Sequence, residues 1–248
     1  MKLLVWLMIL MTSSATVAQA REPITVYLAG DSTMAEKLAD KRPETGWGEK
    51  LQQAFNSDKV RVSNHAKNGR STRTFLSENL WQQIVDNLNE GDYVFIEFGH
   101  NDQSKAKSER YTTPADFQAN LVRFVKDVRD REAHPVLMTP IARRRFNGAG
   151  VFNDTHGEYP DLVRKVAAEL KVPLIDMHLK SEDLLRRLGP EDSRKLFLHL
   201  KASENPNYPN GIEDNTHFNG HGAEVMAALA VEGIRELKLG LARYLKPK

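Results

Sequence analysis

Residues 24–33 (ITVYLAGDST) are β-branched and apolar, then stop abruptly at Gly30-Asp31-Ser32. A run of that length, closed by a turn, reads as a parallel strand buried on both faces that delivers a polar side chain at its end. Residues 59–66 (KVRVSNHA) alternate as a strand does and lead into Lys67-Asn68-Gly69-Arg70-Ser71. Residues 92–98 (DYVFIEF) form a third strand ending in Gly99-His100-Asn101-Asp102. Residues 135–140 (PVLMTP) and 173–177 (PLIDM) read as the fourth and fifth. Helical spacing fills the intervals. Gly46-Trp47-Gly48 opens a helix with Leu51, Ala54 and Phe55 on one face. Leu76, Leu80, Ile84 and Leu88 recur every fourth residue and predict one helix over 75–88. Thr113 as N-cap, Pro114 at the first position and the stripe Phe117, Leu121, Phe124, Val125, Val128 predict another over 114–131. Residues 159–170 and 181–188 are helical, and 199–213, rich in Asn and Pro, read as a long loop. A final helix begins near Asn219 or Gly220 and extends towards Leu241.

Strands alternating with helices imply a parallel sheet with right-handed crossovers. The expected fold is α/β, a flavodoxin-like doubly wound five-stranded parallel sheet between helices. Ligands of such sheets bind beyond the carboxyl ends of the strands. No Gly-x-Gly-x-x-Gly follows the first strand, so dinucleotide binding has no support.

Composition narrows the classes. The 248-residue chain is 40% hydrophobic and 27% charged, with a formal net charge of +2, too small to argue for a nucleic-acid partner. It contains no cysteine, which removes thiol catalysis, disulfides and Cys-ligated metals. Lys2, the apolar stretch 3–11 and Ala18-Gln19-Ala20 have the form of a cleavable export signal, too short to cross a bilayer. The expectation is a signal peptide over 1–20, one domain over 21–248, and a secreted or periplasmic protein without membrane attachment after cleavage. An uncleaved anchor is the alternative.

Polar residues collect at the predicted strand ends: Ser32, Gly69 and Asn101, with Asp214-Asn215-Thr216-His217 in the loop before the last helix. Serine acyl transfer needs such parts. A hydroxyl needs a His to take its proton, and the His needs an acid to fix its tautomer. Asp214 and His217 are close enough in sequence to meet. The oxyanion needs preorganised donors, and the Ser32 and Gly69 N–H groups and the Asn101 amide are suitable. Each residue also has a plainer use: a turn for Gly30 and Gly69, a helix cap for Asn101, a backbone-bonded turn for Asp214.

Gly30-Asp31-Ser32, Gly69 after Asn68, Gly99-His100-Asn101-Asp102 and Asp214-x-x-His217, in that order, resemble the four blocks of the SGNH, or GDSL-like, hydrolase superfamily. With Thr33 after the nucleophile, Gly46-Trp47-Gly48, Asn68-Gly69-Arg70-Ser71, Thr139-Pro140, Arg144-Arg145-Phe146 and Asp214-Asn215-Thr216-His217-Phe218, the chain is similar to rhamnogalacturonan acetylesterases. The resemblance implies catalysis by Ser32, Asp214 and His217, and an oxyanion hole of Ser32, Gly69 and Asn101. It implies no metal or other cofactor, and removal of acetyl groups from an acetylated polysaccharide or oligosaccharide of pectin. Some members of that group carry disulfides, which this chain cannot. The rivals are a broad GDSL esterase, lipase or thioesterase, and a non-catalytic carbohydrate-binding protein.

Further residues are candidates for substrate contact: Trp47, Arg70, His100, Arg144 and Arg145. The triple Arg143-Arg144-Arg145 suits acidic sugars through charge-assisted hydrogen bonds, or forms a solvated loop. Trp47 and Trp81 are sugar-stacking candidates, although the helical spacing of Trp81 favours the core. His217, His221 and Asp214 superficially resemble a zinc site, but Gly220 interrupts it and the serine scheme uses the same residues better. Asn153-Asp154-Thr155 matches a glycosylation sequon with nothing else to support it.

Overall fold

The computed structural model describes residues 23–247; the signal-like segment 1–20 lies outside them. Its centre is a five-stranded parallel sheet in the order β2-β1-β3-β4-β5. The strands are β1 (Ile24–Gly30), β2 (Val60–Asn64), β3 (Tyr93–Glu97), β4 (His134–Met138) and β5 (Leu174–Ile175). This is a doubly wound parallel sheet of five strands, the fold class expected from the sequence; the strand order comes from the structure. The alternation within β1 explains the layers. Val26 and Leu28 face one core, with Trp47, Leu51, Met226, Ala230 and Ile234. Tyr27 and Ala29 face the other, with Trp81, Phe117, Leu121, Phe124 and Val163. The first core is covered by α1 (Gly48–Leu51) and α7 (Gly220–Glu236), the second by α2 (Thr72–Ser77), α3 (Leu80–Val85), α4 (Pro114–Arg129) and α5 (Tyr159–Leu170). The helix α6 (Met177–Ser193) follows β5 and is kinked at Gly189, φ 70°.

Two expectations need correction. The helix expected over 75–88 is two helices, because Asn79 adopts φ 59° and breaks the hydrogen-bond ladder between α2 and α3. The leucine spacing carries across the break, so periodicity could not reveal it. The loop expected over 199–213 and the residues after it contain half of a hairpin. β6 (Phe197–Leu200) pairs antiparallel with β7 (Ile212–Phe218), so Asp214 and His217 lie on a strand rather than in a loop. The buried Phe197 and Phe218, with ring centroids 5.3 Å apart, anchor it. Residues 212–217 of β7 are half-buried or exposed, whereas β1 and β3 are buried almost throughout.

The sheet reverses its winding direction at β1, whose neighbours are β2 and β3. The crevice beyond the carboxyl ends of β1 and β3 is the switch point where such folds bind ligands. Ser32 leaves the end of β1, and Gly99-His100-Asn101 leaves the end of β3, at that crevice.

Candidate active site

Ser32 Oγ lies 2.8 Å from His217 Nε2, and His217 Nδ1 lies 2.7 Å from Asp214 Oδ2. The local fold of β7 holds the acid. Asp214 Oδ1 accepts the N–H groups of Thr216 at 2.7 Å and His217 at 3.0 Å, so the side chain closes a turn onto the residue it serves. Burial pushes the Asp214 carboxyl up. The His217 hydrogen bond and charge, with the two N–H donors, outweigh burial and hold it down to about 2. An ionised Asp214 fixes the proton of His217 on Nδ1 and leaves Nε2 to receive one from Ser32.

Three candidate oxyanion donors belong to residues that line the same cleft: the N–H groups of Ser32 and Gly69 and the amide of Asn101. Among the described residues, neither the Ser32 N–H nor the Gly69 N–H has a protein acceptor. Gly69 adopts φ 77°, a left-handed conformation that favours glycine, and an added Cβ would approach Arg110 Nη1 to 3.1 Å. Asn101 Nδ2 donates one hydrogen to the Arg70 carbonyl at 2.8 Å, which orients the amide and leaves its second hydrogen free. Ser32, Gly69, Asn101, Asp214 and His217 all line one open cleft of about 600 Å³.

Of the residues proposed for substrate contact, His100 lines this cleft and four do not. Trp47 is fully buried, with its Nε1–H donating to Glu97 Oε2 at 2.7 Å, so it cannot stack on a sugar. Arg70 turns to Glu78, with Nε and Oε2 2.9 Å apart, and contributes only its carbonyl. Arg144 braces β7, donating to Asn215 Oδ1 at 2.7 Å, to Ser193 Oγ at 3.1 Å and to the Pro190 carbonyl. Arg145 is exposed and outside the cleft. The arginine of the triple that does reach the cleft is Arg143, whose guanidinium donates to the His100 carbonyl at 3.1 Å and to Thr155 Oγ1 at 3.2 Å. Trp81 is core, as its spacing indicated, and its Nε1–H reaches Asp127 Oδ2 at 2.9 Å.

Several residues here carried no sequence signal. Lys37 is buried and joins three segments: it donates to the Ser32 carbonyl and to Asn68 Oδ1 (2.9 Å) and pairs with Glu44 (2.8 Å). Lys41, Lys107 and Arg110 join Arg143 along the cleft. Beneath the nucleophile, Thr33 Oγ1 lies 3.0 Å from Asp31 Oδ1 and 3.2 Å from Glu97 Oε1. Burial and the neighbouring Asp31 push Glu97 up.

Among the described residues, the His217–His221 pair does not close up with a third ligand. Among the described residues, the group compact enough for a metal is Asp154, His156 and His178, with their ligand atoms within 4.8 Å of one another. Three of its polar atoms already pair among themselves. Asp154 Oδ1 lies 3.1 Å from His156 Nδ1 and 2.9 Å from His178 Nε2, and the cationic Arg143 lies near enough to act on both Asp154 and His156.

The model of the GDSL-like lipase/acylhydrolase family matches residues 28–225. The chain is 45% identical over 225 residues to rhamnogalacturonan acetylesterase RhgT of Bacillus subtilis (strain 168), covering 91% of this chain and 95% of that one. It is 28% identical to the rhamnogalacturonan acetylesterase of Emericella nidulans, covering 82% and 81%. Among solved structures, YxiM of Bacillus subtilis superposes with a TM-score of 0.75 at 25% identity, covering 88% of this chain and 58% of that one. Axe2, an acetylxylan esterase of Geobacillus stearothermophilus, shares the fold with a TM-score of 0.61 at 18% identity, covering 92% and 99%.

Proposed function

The chain belongs to the GDSL-like lipase/acylhydrolase family, and from that premise we propose that it is a serine acetylesterase acting on an acetylated, acidic plant cell-wall polysaccharide, with rhamnogalacturonan as its substrate. The observation that carries this reading is the continuous hydrogen-bond chain Asp214–His217–Ser32 beside three unused donors in one cleft. The names of the relatives support the acetyl-sugar substrate. So does the cleft, where Lys41, Lys107, Arg110 and Arg143 outnumber Glu44 and Asp214, a balance suited to a uronate polymer. Ile212 is the one aliphatic side chain among the described lining residues, which offers little to a long acyl chain and weakens the lipase alternative.

In this scheme His217 Nε2 takes the Ser32 proton as Oγ bonds to the acetyl carbon. The carbonyl electron pair moves to oxygen, where the Ser32 and Gly69 N–H groups and the free Asn101 N–H receive it. Collapse breaks the bond to the sugar oxygen, which leaves with the proton from His217. Water then yields a proton to His217 and attacks the acetyl-Ser32 carbonyl. The second collapse releases acetate and returns the proton to Ser32. Asp214 remains ionised and stabilises the imidazolium. With its signal-like segment 1–20, the enzyme would act outside the cytoplasm; N-terminal sequencing of the exported protein tests cleavage after Ala20.

The function is tested by measuring acetate release from acetylated rhamnogalacturonan, acetylated xylan and p-nitrophenyl acetate and octanoate, with Ser32→Ala as control. Preference for the pectic substrate, abolished in a folded Ser32→Ala protein, is the expected result. Undiminished turnover in that variant, or preference for octanoate, refutes the proposal.

A further inference from the structure

Lys37 is tied to three residues of the catalytic cleft. Its side chain is fully buried, and its ammonium has three hydrogens for three acceptors: the Ser32 carbonyl, Asn68 Oδ1 at 2.9 Å and Glu44 Oε1 at 2.8 Å. Ser32, Glu44 and Asn68 all line the cleft. Displacing such an ammonium would strand a buried charge and its acceptors, so the three partners are held in one arrangement.

Each bond fixes a different part of the site. The peptide after the nucleophile is held at both ends. Its carbonyl accepts from Lys37, and its N–H, that of Thr33, donates to Asp31 Oδ1 at 3.0 Å. Asn68 precedes Gly69 in the turn that the Arg70 N–H closes on the Lys67 carbonyl at 3.3 Å, so its side chain anchors the loop bearing the Gly69 N–H. Glu44 precedes Thr45, whose N–H donates at 2.9 Å to the carbonyl of Phe218, the residue after His217 in β7. Nucleophile, oxyanion loop and the hairpin carrying the base thus meet at one nitrogen.

We infer that Lys37 is a positioning residue, a strut that sets Ser32, the Gly69 loop and the His217 hairpin at their catalytic spacing. The kinetic consequence rests on the serine-esterase reading, whereas the strut itself involves no substrate. Lys37 is not a base for Ser32: Oγ is engaged by His217 Nε2 at 2.8 Å, and Lys37 Nζ meets the carbonyl instead. Nor is it a ligand for an acidic sugar, because its hydrogens are all in use; Lys41 and Lys107 line the cleft for that. The strut matters because β7 belongs to a two-stranded sheet separate from the one that carries Ser32, and residues 212–217 are half-buried or exposed. Few cross-links set the distance between the two sheets. A misplacement of about 1 Å costs on the order of 10²-fold in rate.

The test begins with Lys37→Met, which keeps most of the aliphatic stem and removes the three donors. Amide hydrogen exchange read by NMR needs no substrate. Exchange at Thr45 about tenfold faster than in the parent protein, with Val26 and Phe95 of the central sheet unchanged, is the expected result. Unchanged exchange at Thr45 overturns the strut whatever the protein hydrolyses. On p-nitrophenyl acetate, kcat should fall about 10²-fold, since both tetrahedral intermediates depend on the same spacing. Affinity for methylboronic acid, which forms a tetrahedral adduct on a serine oxygen, should fall in parallel. The ammonium is then put back. The chain has no cysteine, so Lys37→Cys carries its one thiol. In urea that thiolate displaces bromide from 2-bromoethylamine and rebuilds a side chain of lysine's length ending in an ammonium. After refolding, kcat and boronate affinity should return towards those of the parent taken through the same cycle. Asn68 is exposed, so Asn68→Ala removes one of the three bonds without touching the core, and kcat should fall about tenfold, the worth of one hydrogen bond. Parental kcat in folded Lys37→Met, or in Asn68→Ala should Lys37→Met not fold, overturns the inference. A parent protein inactive on p-nitrophenyl acetate, whose Thr45 exchange still responds to Lys37→Met, would count against the esterase reading alone.

Discussion

Asp102, the residue after Asn101, provides a test of the electrostatics beneath the cleft. Its Oδ1 accepts the Thr72 N–H at 2.9 Å and the Thr72 hydroxyl at 2.6 Å, at the start of α2, while its Oδ2 is buried without a partner. Burial, opposed by the Thr72 hydrogen bonds, pushes the carboxyl from an ordinary 3.8 up to about 7. The folded protein therefore holds this proton more tightly than the unfolded chain. Between those two values the native state binds more protons, so stability falls as pH rises. At 1.36 kcal/mol per pH unit the loss reaches roughly 4 kcal/mol by pH 8. Asp102→Asn is a neutral copy of the protonated acid: the amide oxygen keeps both Thr72 donors, and the amide nitrogen is as unpartnered as the acid O–H. Urea unfolding of both proteins from pH 4 to pH 9 should give coincident midpoints at the acid end. At pH 8 the variant should be more stable by a few kcal/mol, with the slope m unchanged. If Asp102 were ionised and held by Thr72, the variant would be the weaker protein at neutral and alkaline pH, and that result would refute the reasoning.

Other outcomes follow from the same geometry. Asn101→Ala removes one oxyanion donor and should lower kcat on the order of 10²–10³-fold with little change in KM, measured on p-nitrophenyl acetate. Asp214→Asn should leave the fold intact yet reduce kcat by up to about 10⁴-fold, because the amide no longer fixes the His217 tautomer. Arg143→Gln should raise KM for de-esterified, galacturonate-bearing oligomers more than for neutral acetylated xylo-oligomers, and an equal effect on both would exclude Arg143 from charge recognition. Gly222→Ala should destabilise the protein by several kcal/mol in thermal unfolding, since its Cβ would collide with the Leu196 carbonyl oxygen.

The parallel sheet was legible because buried strands and amphipathic helices leave strong patterns, and the Ser32, Gly69 and Asn101 positions followed from their places at strand ends. The hairpin was not. Ile212–Phe218 (IEDNTHF) has no apolar alternation, since Ile212, Asp214, Thr216 and His217 line the cleft rather than a core, and it is fixed by the buried Phe218 and by pairing with a strand 12 or more residues away. Trp47 showed the ambiguity of an aromatic between two glycines: only its buried bond to Glu97 distinguishes core from surface. The Asp154–His178 contact and the Lys37 node depend on side chains from separate segments, and no local pattern encodes such meetings.

The nucleophile and its proton acceptor stand on different foundations. Ser32 is mounted on the deeply packed central sheet, whereas His217 and Asp214 ride on a half-covered two-stranded ribbon beside it. Regions with less buried surface open at lower free energy. In rising denaturant, hydrolysis should therefore cease before far-ultraviolet circular dichroism reports any loss of helix, which makes turnover the earliest gauge of damage to this molecule.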